Sequence, residues 1–447
     1  MNDWPADPAL DASLRRMVDA ELATARTDAR TSPAFSARPT QVSDRRRNRV
    51  ALAGAGALAV IVLVASVAIR GANQVGPAAP GSASPSGSPL AMVTPGATAS
   101  ASPGPAVATP TPFASVGGSF TPTGSMSQGH GMKQASAQLA DGRVLVVGGD
   151  PTAEVYDPAT GKFSVAGNMT VPRNFATATT LVDGRVLIVG GSALQSAEIY
   201  DPKAGTFTPT SKMLELRADH AAVRLADGRV LVAGGINMDA TNLSSAEIFD
   251  PKTGRWTRTG SMSIARWMFT ATLLPNGRVL VVGGGGGEGG ESFDTAELYD
   301  PSTGHFTPTG SMENARFGFT ATTLADGRVL VVGGGSIAGN ALDAAEIYDP
   351  ATGKFTDTGP MSQGRWYHAA ARLADGRVLV AGGADDSSAT AELFDPATGT
   401  FSLTAPMSTP RSMATATLLN DGRVLVCGGI TDQDVLTAEL YQAPPKP

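Results

Sequence analysis

The side chains suited to chemistry are few, and most recur at a fixed spacing. A methionine precedes an arginine by four residues at Met169/Arg173, Met213/Arg217, Met262/Arg266, Met312/Arg316, Met361/Arg365 and Met407/Arg411, with Met126/His130 first in the series. Such arginines gathered at one opening could grip a carboxylate or phosphate. An element repeated this often suits a scaffold better, each arginine pairing with a repeated glutamate or with loop carbonyls. The methionines read as packing filler. Just after the arginine the copies diverge: Trp267, Phe317 and Trp366 share one position, Tyr367-His368 extends the last, and Asp219-His220 holds the same register in another copy. These aromatics could form a platform for sugar rings or an apolar partner, or plug gaps beneath long loops. The candidate binding set is therefore Trp267, Phe317, Trp366, Tyr367, His368, Asp219 and His220 together with Arg266, Arg316 and Arg365.

Other chemistries find little material. The glutamates recur with the same period, so no unique carboxylate pair for glycoside hydrolysis stands out. Asp385, Asp386, Asp432 and Asp434 suit solvated loops or a cation. The run Gly283–Gly290 lacks the Lys-Ser/Thr pair and the following helix of a phosphate loop. One cysteine, Cys427, excludes an intramolecular disulfide and any multi-cysteine zinc site. A net charge of −6 argues against nucleic acid. No metal or cofactor is expected.

The positioning elements are repeats. D-G-R-V-L-(V/I)-x-G-G begins at Asp141, Asp183, Asp227, Asp326, Asp375 and Asp421, with Asn276 in the fourth copy. A-E-(V/I/L)-(Y/F)-D-P follows at Glu154, Glu198, Glu247, Glu297, Glu346 and Glu392, and the seventh copy stops at Glu439-Leu440-Tyr441. Periods of 42 to 50 residues mark units that bury their faces against neighbours. Each unit reads as a small-residue strand, an Asp-Gly turn, an apolar strand ended by a glycine pair, the A-E strand, and a D-P-x-T-G turn into a last aromatic-bearing strand. Four antiparallel strands make one propeller blade.

These phrases closely resemble the kelch repeat, in its galactose-oxidase-type variant, over residues 120–441. The resemblance implies an all-β, seven-bladed propeller with a role in binding more than one particular chemistry. Blade seven lacks a fourth strand, and Phe120-Thr-Pro-Thr-Gly-Ser-Met126 matches the missing piece. Residues 119–126 are therefore expected to close the ring. The family also places copper ligands at one face, including a Tyr-His pair that Tyr367-His368 matches in place and order. It further needs a second histidine, a second tyrosine and a cysteine cross-linked to that tyrosine. Cys427 sits in an apolar strand and the other tyrosines hold third-strand positions, so no copper chemistry and no enzyme is expected.

Strand direction puts the monotonous turns on one face and the variable loops on the other. Between the glycine pair and A-E lie 3, 5, 10, 11, 10, 7 and 8 residues in blades one to seven. Binding is expected on the variable face, with 236–245, 285–295 and 335–344 as one wall.

The chain before the repeats divides in three. Residues 1–49 are polar. Residues 50–69 are twenty uncharged, largely apolar residues preceded by Arg45, Arg46, Arg47 and Arg49, as an uncleaved transmembrane helix with a cytoplasmic N-terminus requires; a cleaved signal peptide is the rival. Residues 70–118 form a stalk without any Lys, Asp or Glu and with nine Pro. The propeller is expected over 119–442 and a tail over 443–447. The expectation is a single-pass, cell-membrane protein with a monomeric extracytoplasmic propeller that recognises a protein, peptide or glycan. A carbohydrate-active enzyme at the same face, or a sensor signalling through residues 1–49, are the alternatives.

Overall fold

The computed structural model describes residues 115–286, 291–336, 339–383 and 388–446. The expected tail, membrane span and most of the stalk lie outside them. No helix of the described residues is long and apolar enough to cross a membrane.

Seven four-stranded antiparallel sheets follow one another along the chain. In blade one they are Ala135–Gln138, Val144–Val147, Thr152–Asp157 and Lys162–Asn168. The second strand of every blade is apolar throughout and buried on both faces. Cross-strand register sets the third-strand aromatic over the fourth-strand one, as in Tyr156/Phe163 at 5.0 Å and Tyr299/Phe306 at 4.8 Å between ring centroids. Such pairs add about 0.5–1.5 kcal/mol beyond their burial.

The core lies between blades. Seven apolar clusters each join two neighbours; Leu231 and Ala233 of blade three, for example, pack with Phe269, Val279 and Val281 of blade four. One repeated methionine sits in each seam, Met262 in this one and Met126 between blades seven and one.

The ring closes as the repeat requires. Ser119–Pro122 pairs with Ala438–Gln442, placing Phe120 against Tyr441 at 4.8 Å. The closure also imitates the missing D-P-x-T-G turn. In intact blades a threonine donates to the glycine carbonyl of the next turn, Thr123 to Gly161 at 3.1 Å and Thr259 to Gly304 at 3.2 Å. At the break Thr404 donates to Gly117 instead, and Val116 N to Leu403 O at 3.0 Å. Residues 115–118, expected as stalk, thus lie on blades six and seven. Pro444 O accepts from Arg377, and Lys446 pairs with Asp395 at 3.2 Å. Both ends of the propeller meet at one seam.

Candidate functional site

The arginines that lead into blades two to seven are buried, not presented. Arg173, Arg217, Arg266, Arg316, Arg365 and Arg411 meet Glu198, Glu247, Glu297, Glu346, Glu392 and Glu439 at 2.6–3.3 Å. Arg316 is typical. Its Nη1 donates to Gly333 O at 2.8 Å and Ala344 O at 2.9 Å, while Glu346 also accepts Glu313 N at 2.9 Å. Each pair therefore ties the leading loop to the second and third strands of its blade. Burial holds the Arg266, Arg316 and Arg365 guanidinium pKa values below the usual range, against the raising effect of their glutamates. With no exposed surface, Arg266, Arg316 and Arg365 cannot face a ligand, and the scaffold reading replaces the anion-gripping one. Blade one uses His130 instead, with Nε2 3.1 Å from Glu154; burial lowers its pKa although Glu154 pulls the other way.

Two residues beyond the arginine the chain turns left-handed. Phe175, Asp219, Met268, Tyr367 and Met413 have φ between 49° and 60°, Gly318 has 63°, and in blade one Lys133, three residues beyond His130 and two before the inner strand, holds the matching place at 52°. Left-handed backbone costs a non-glycine residue roughly 1 kcal/mol or more. A hydrogen-bonded hoop holds it in place. Each N–H donates to the preceding blade: Asp219 to Phe175 O, Met268 to Asp219 O, Gly318 to Met268 O, Tyr367 to Gly318 O and Met413 to Tyr367 O, at 2.7–3.3 Å.

Side chains of the hoop cross the opening. Lys133 of blade one reaches Asp219 of blade three at 2.7 Å. Tyr367 of blade six donates to the Met268 sulfur of blade four at 3.0 Å, passing over Gly318, where an added Cβ would lie 2.9 Å from its ring. Burial raises the Asp219 carboxyl pKa despite Lys133, and burial with the nearby Asp219 charge raises that of the Tyr367 hydroxyl. The mouth beneath the variable loops is thereby filled. Below it, inner-strand residues such as Ser136, Thr177, Ala222, Thr320 and Thr415 line a cavity of about 380 Å³.

The aromatic candidates form one row: Trp267–Phe317 at 6.2 Å, Phe317–Trp366 at 6.0 Å and Trp366–Tyr367 at 5.3 Å. Trp267 and Phe317 are 6% and 5% exposed and pack with Phe175, Ile236 and Met268. Their backbones pair with Gly285 and Gly335, so they seat the long loops of blades four and five. Trp366 and Tyr367 remain half-buried.

His220 and His368 are wedges between blades. Their Nε2 atoms lie 2.9 Å from Thr177 Oγ1 and 2.8 Å from Thr320 Oγ1 of the preceding blade. Each ring fills the notch over that blade's first paired glycine; a Cβ on Gly190 or Gly333 would meet the imidazole Cε1 at 2.9 or 3.0 Å. Phe269 and Phe319 do the same over Gly234 and Gly283. Burial first, then the Arg217 or Arg365 charge, lowers both histidines from 6.5 to about 3. Above pH 6.5 both folded and unfolded histidines are neutral; below it the unfolded chain binds protons that the folded chain refuses. Stability is therefore lost as pH falls from about 6.5 towards 3, at about 1.4 kcal/mol per unit per histidine. The double variant His220→Phe/His368→Phe is expected to flatten urea-denaturation stability between pH 6.5 and 5, a span over which the native pair loses about 3 kcal/mol. An unchanged slope would refute the wedge assignment.

Sequence spacing did not reveal Lys133, Phe175, Met268 and Gly318. The signal available was their shared distance from the seven inner strands, without a shared residue type.

The Tyr-His pair is engaged within the mouth. Tyr367 OH is engaged by Met268 and His368 Nε2 by Thr320. Cys427 lies inside blade seven beside Thr415 and Gln134, away from any tyrosine of the mouth. Among the described residues no group of three His, Cys, Asp or Glu is placed to hold a metal.

The kelch motif family matches residues 217–263 and 269–313. No curated protein matches the sequence. A fungal alcohol oxidase of the AA5 family, solved in complex with copper, is similar in structure at a TM-score of 0.60 and 22% identity, over 73% of this chain and 76% of that one. YjhT is similar at a TM-score of 0.51 and 18% identity, over 61% of this chain and 98% of its own. Repeat, closure and neighbours agree: the chain carries a seven-bladed β-propeller of four-stranded blades, which matches the kelch motif over residues 217–263 and 269–313.

Proposed function

We propose that this chain is a membrane-tethered, extracytoplasmic recognition module that holds a protein, peptide or surface glycan on the variable-loop face of its propeller. The contrast between the two faces carries this reading. The first-strand turns are Asp-Gly or Asn-Gly in every blade, whereas the loops after the glycine pair run from 3 to 11 residues. Variable loops on a rigid frame are the usual place for binding. Short backbone bridges pin the bases of these loops, Ala218 to Ile236, Trp267 to Gly285 and Ser412 to Ile430, which limits the entropy a partner must overcome. Trp366 and Tyr367 offer the half-buried aromatic surface beside them. The apolar run 50–69 supports the tether, and the proline-rich 70–114 supports display away from it.

The oxidase-like alternative rests on the position of Tyr367-His368 and on the AA5 neighbour; the engaged donor atoms speak against it. A glycan array and surface cross-linking with the full chain test the recognition reading. Specific capture is expected, and it is expected to disappear when 335–344 is replaced by the five-residue blade-two linker. Capture that survives that replacement together with Trp366→Ala would move the site off this face.

A further inference from the structure

The central channel has two unlike ends. Beneath the variable loops, the Lys133–Asp219 and Tyr367–Met268 contacts span it. At the Asp-Gly end the inner strands finish on half-buried or exposed residues, one per blade, and none is acidic. Two are arginines. Arg224 of blade three and Arg372 of blade six stand three blades apart in a ring of seven, on opposite sides of the opening, and both are exposed.

The contacts recorded at this end join neighbours only. Arg224 Nη1 donates to Thr180 O at 3.0 Å, and Gln138 Nε2 to Asn420 Oδ1 at 3.2 Å. The first of these holds the Arg224 guanidinium along the rim. No acid meets Arg224 or Arg372 among the described residues. The arginines of the surrounding turns behave differently. Arg143, Arg185, Arg229, Arg328, Arg377 and Arg423 each close on the aspartate of their own turn at 2.6–2.8 Å. Arg278, which has Asn276 there, turns to Asp300 at 3.5 Å. At the channel rim itself, Arg224 and Arg372 thus differ from the turn arginines in facing no acid.

The channel behind the rim has room. Its inner half is the 380 Å³ cavity walled by alanine, serine and threonine, and the free peptide edges of the inner strands offer N–H donors. A cleft with charge of one sign and low-dielectric walls focuses its field on a counter-ion. The guanidinium fork matches carboxylate and phosphate oxygens two at a time.

We propose that the Asp-Gly mouth of the channel is an anion-binding site that takes a compact polyanion with carboxylate or phosphate groups between Arg224 and Arg372. This site is separate from the variable-loop face and does not depend on what that face binds.

Calorimetric titration of the full chain at low salt, with inorganic pyrophosphate and separately with citrate, tests it. Saturable binding of at least one probe is expected, weakened about tenfold by Arg224→Gln or Arg372→Gln, as loss of a charged hydrogen bond implies, and unchanged in Arg278→Gln. Pyrophosphate alone would assign phosphate chemistry, and citrate alone carboxylate chemistry. All three side chains are exposed, and matching thermal melts would verify that the variants fold. Absence of saturable binding by either probe would overturn the site, as would binding that survives the double variant or falls equally in Arg278→Gln.

Discussion

Arg316→Ala is expected to destabilise the propeller by about 3–5 kcal/mol, the range for breaking one partner out of a buried ion pair. The substitution strands Glu346 inside the blade, removes the donor to Gly333 O and leaves Ala344 O with the Gly333 N–H alone. An exposed pair would contribute about 1 kcal/mol at most; burial makes the difference, since neither member can recover water. The control is the double variant Arg316→Met/Glu346→Leu, which removes both charges and keeps the volume. It is expected to recover a large part of the loss. Urea denaturation measures both. A single-variant cost below about 1 kcal/mol would mean that the pair is solvated, contrary to its burial.

Removing residues 115–122 is expected to open the ring. The change deletes four ladder pairs with blade seven, the Phe120–Tyr441 contact and the Gly117 carbonyl that accepts from Thr404. Cross-strand pairs at about 0.2–1 kcal/mol each and the aromatic pair at about 0.5–1.5 kcal/mol sum to several kcal/mol. The exposed edge of Ala438–Gln442 then becomes free to pair with another chain. A lower melting temperature with self-association in light scattering is the expected result; a monomer that melts unchanged would show that blade seven needs no fourth strand. Gly118→Val tests the same seam by one residue. Its Cβ would lie 2.6 Å from Thr404 Oγ1 and 2.8 Å from Tyr441 OH, on backbone at φ 101°.

The fold was legible because each local signal repeats seven times. Asp-Gly turns, all-apolar second strands and the A-E phrase each state the same blade, and Phe120-Thr-Pro-Thr-Gly names its own missing partner. The arginine–glutamate pairs were legible for the same reason, as periodic charges need periodic partners. The mouth was not. Left-handed backbone at Phe175, Asp219, Met268, Tyr367 and Met413 leaves no mark in residue type, because it is imposed by the hoop and not by local propensity. Lys133 and Asp219 lie 86 residues apart and meet only once the ring has closed. Trp267 and Trp366 share a register, yet the first is buried and the second half-buried, because burial depends on the loops above them.

This accounts for side chains of catalytic type that do structural work. Histidines wedge blades apart, arginines tie loops down, and a tyrosine and an aspartate fill the axis.

Copper titration of the purified chain, followed by metal analysis and electron paramagnetic resonance, addresses that assignment most directly. The account predicts no stoichiometric copper and no signal that depends on Tyr367 or His368. One copper per chain, lost in Tyr367→Phe or His368→Ala, would contradict it.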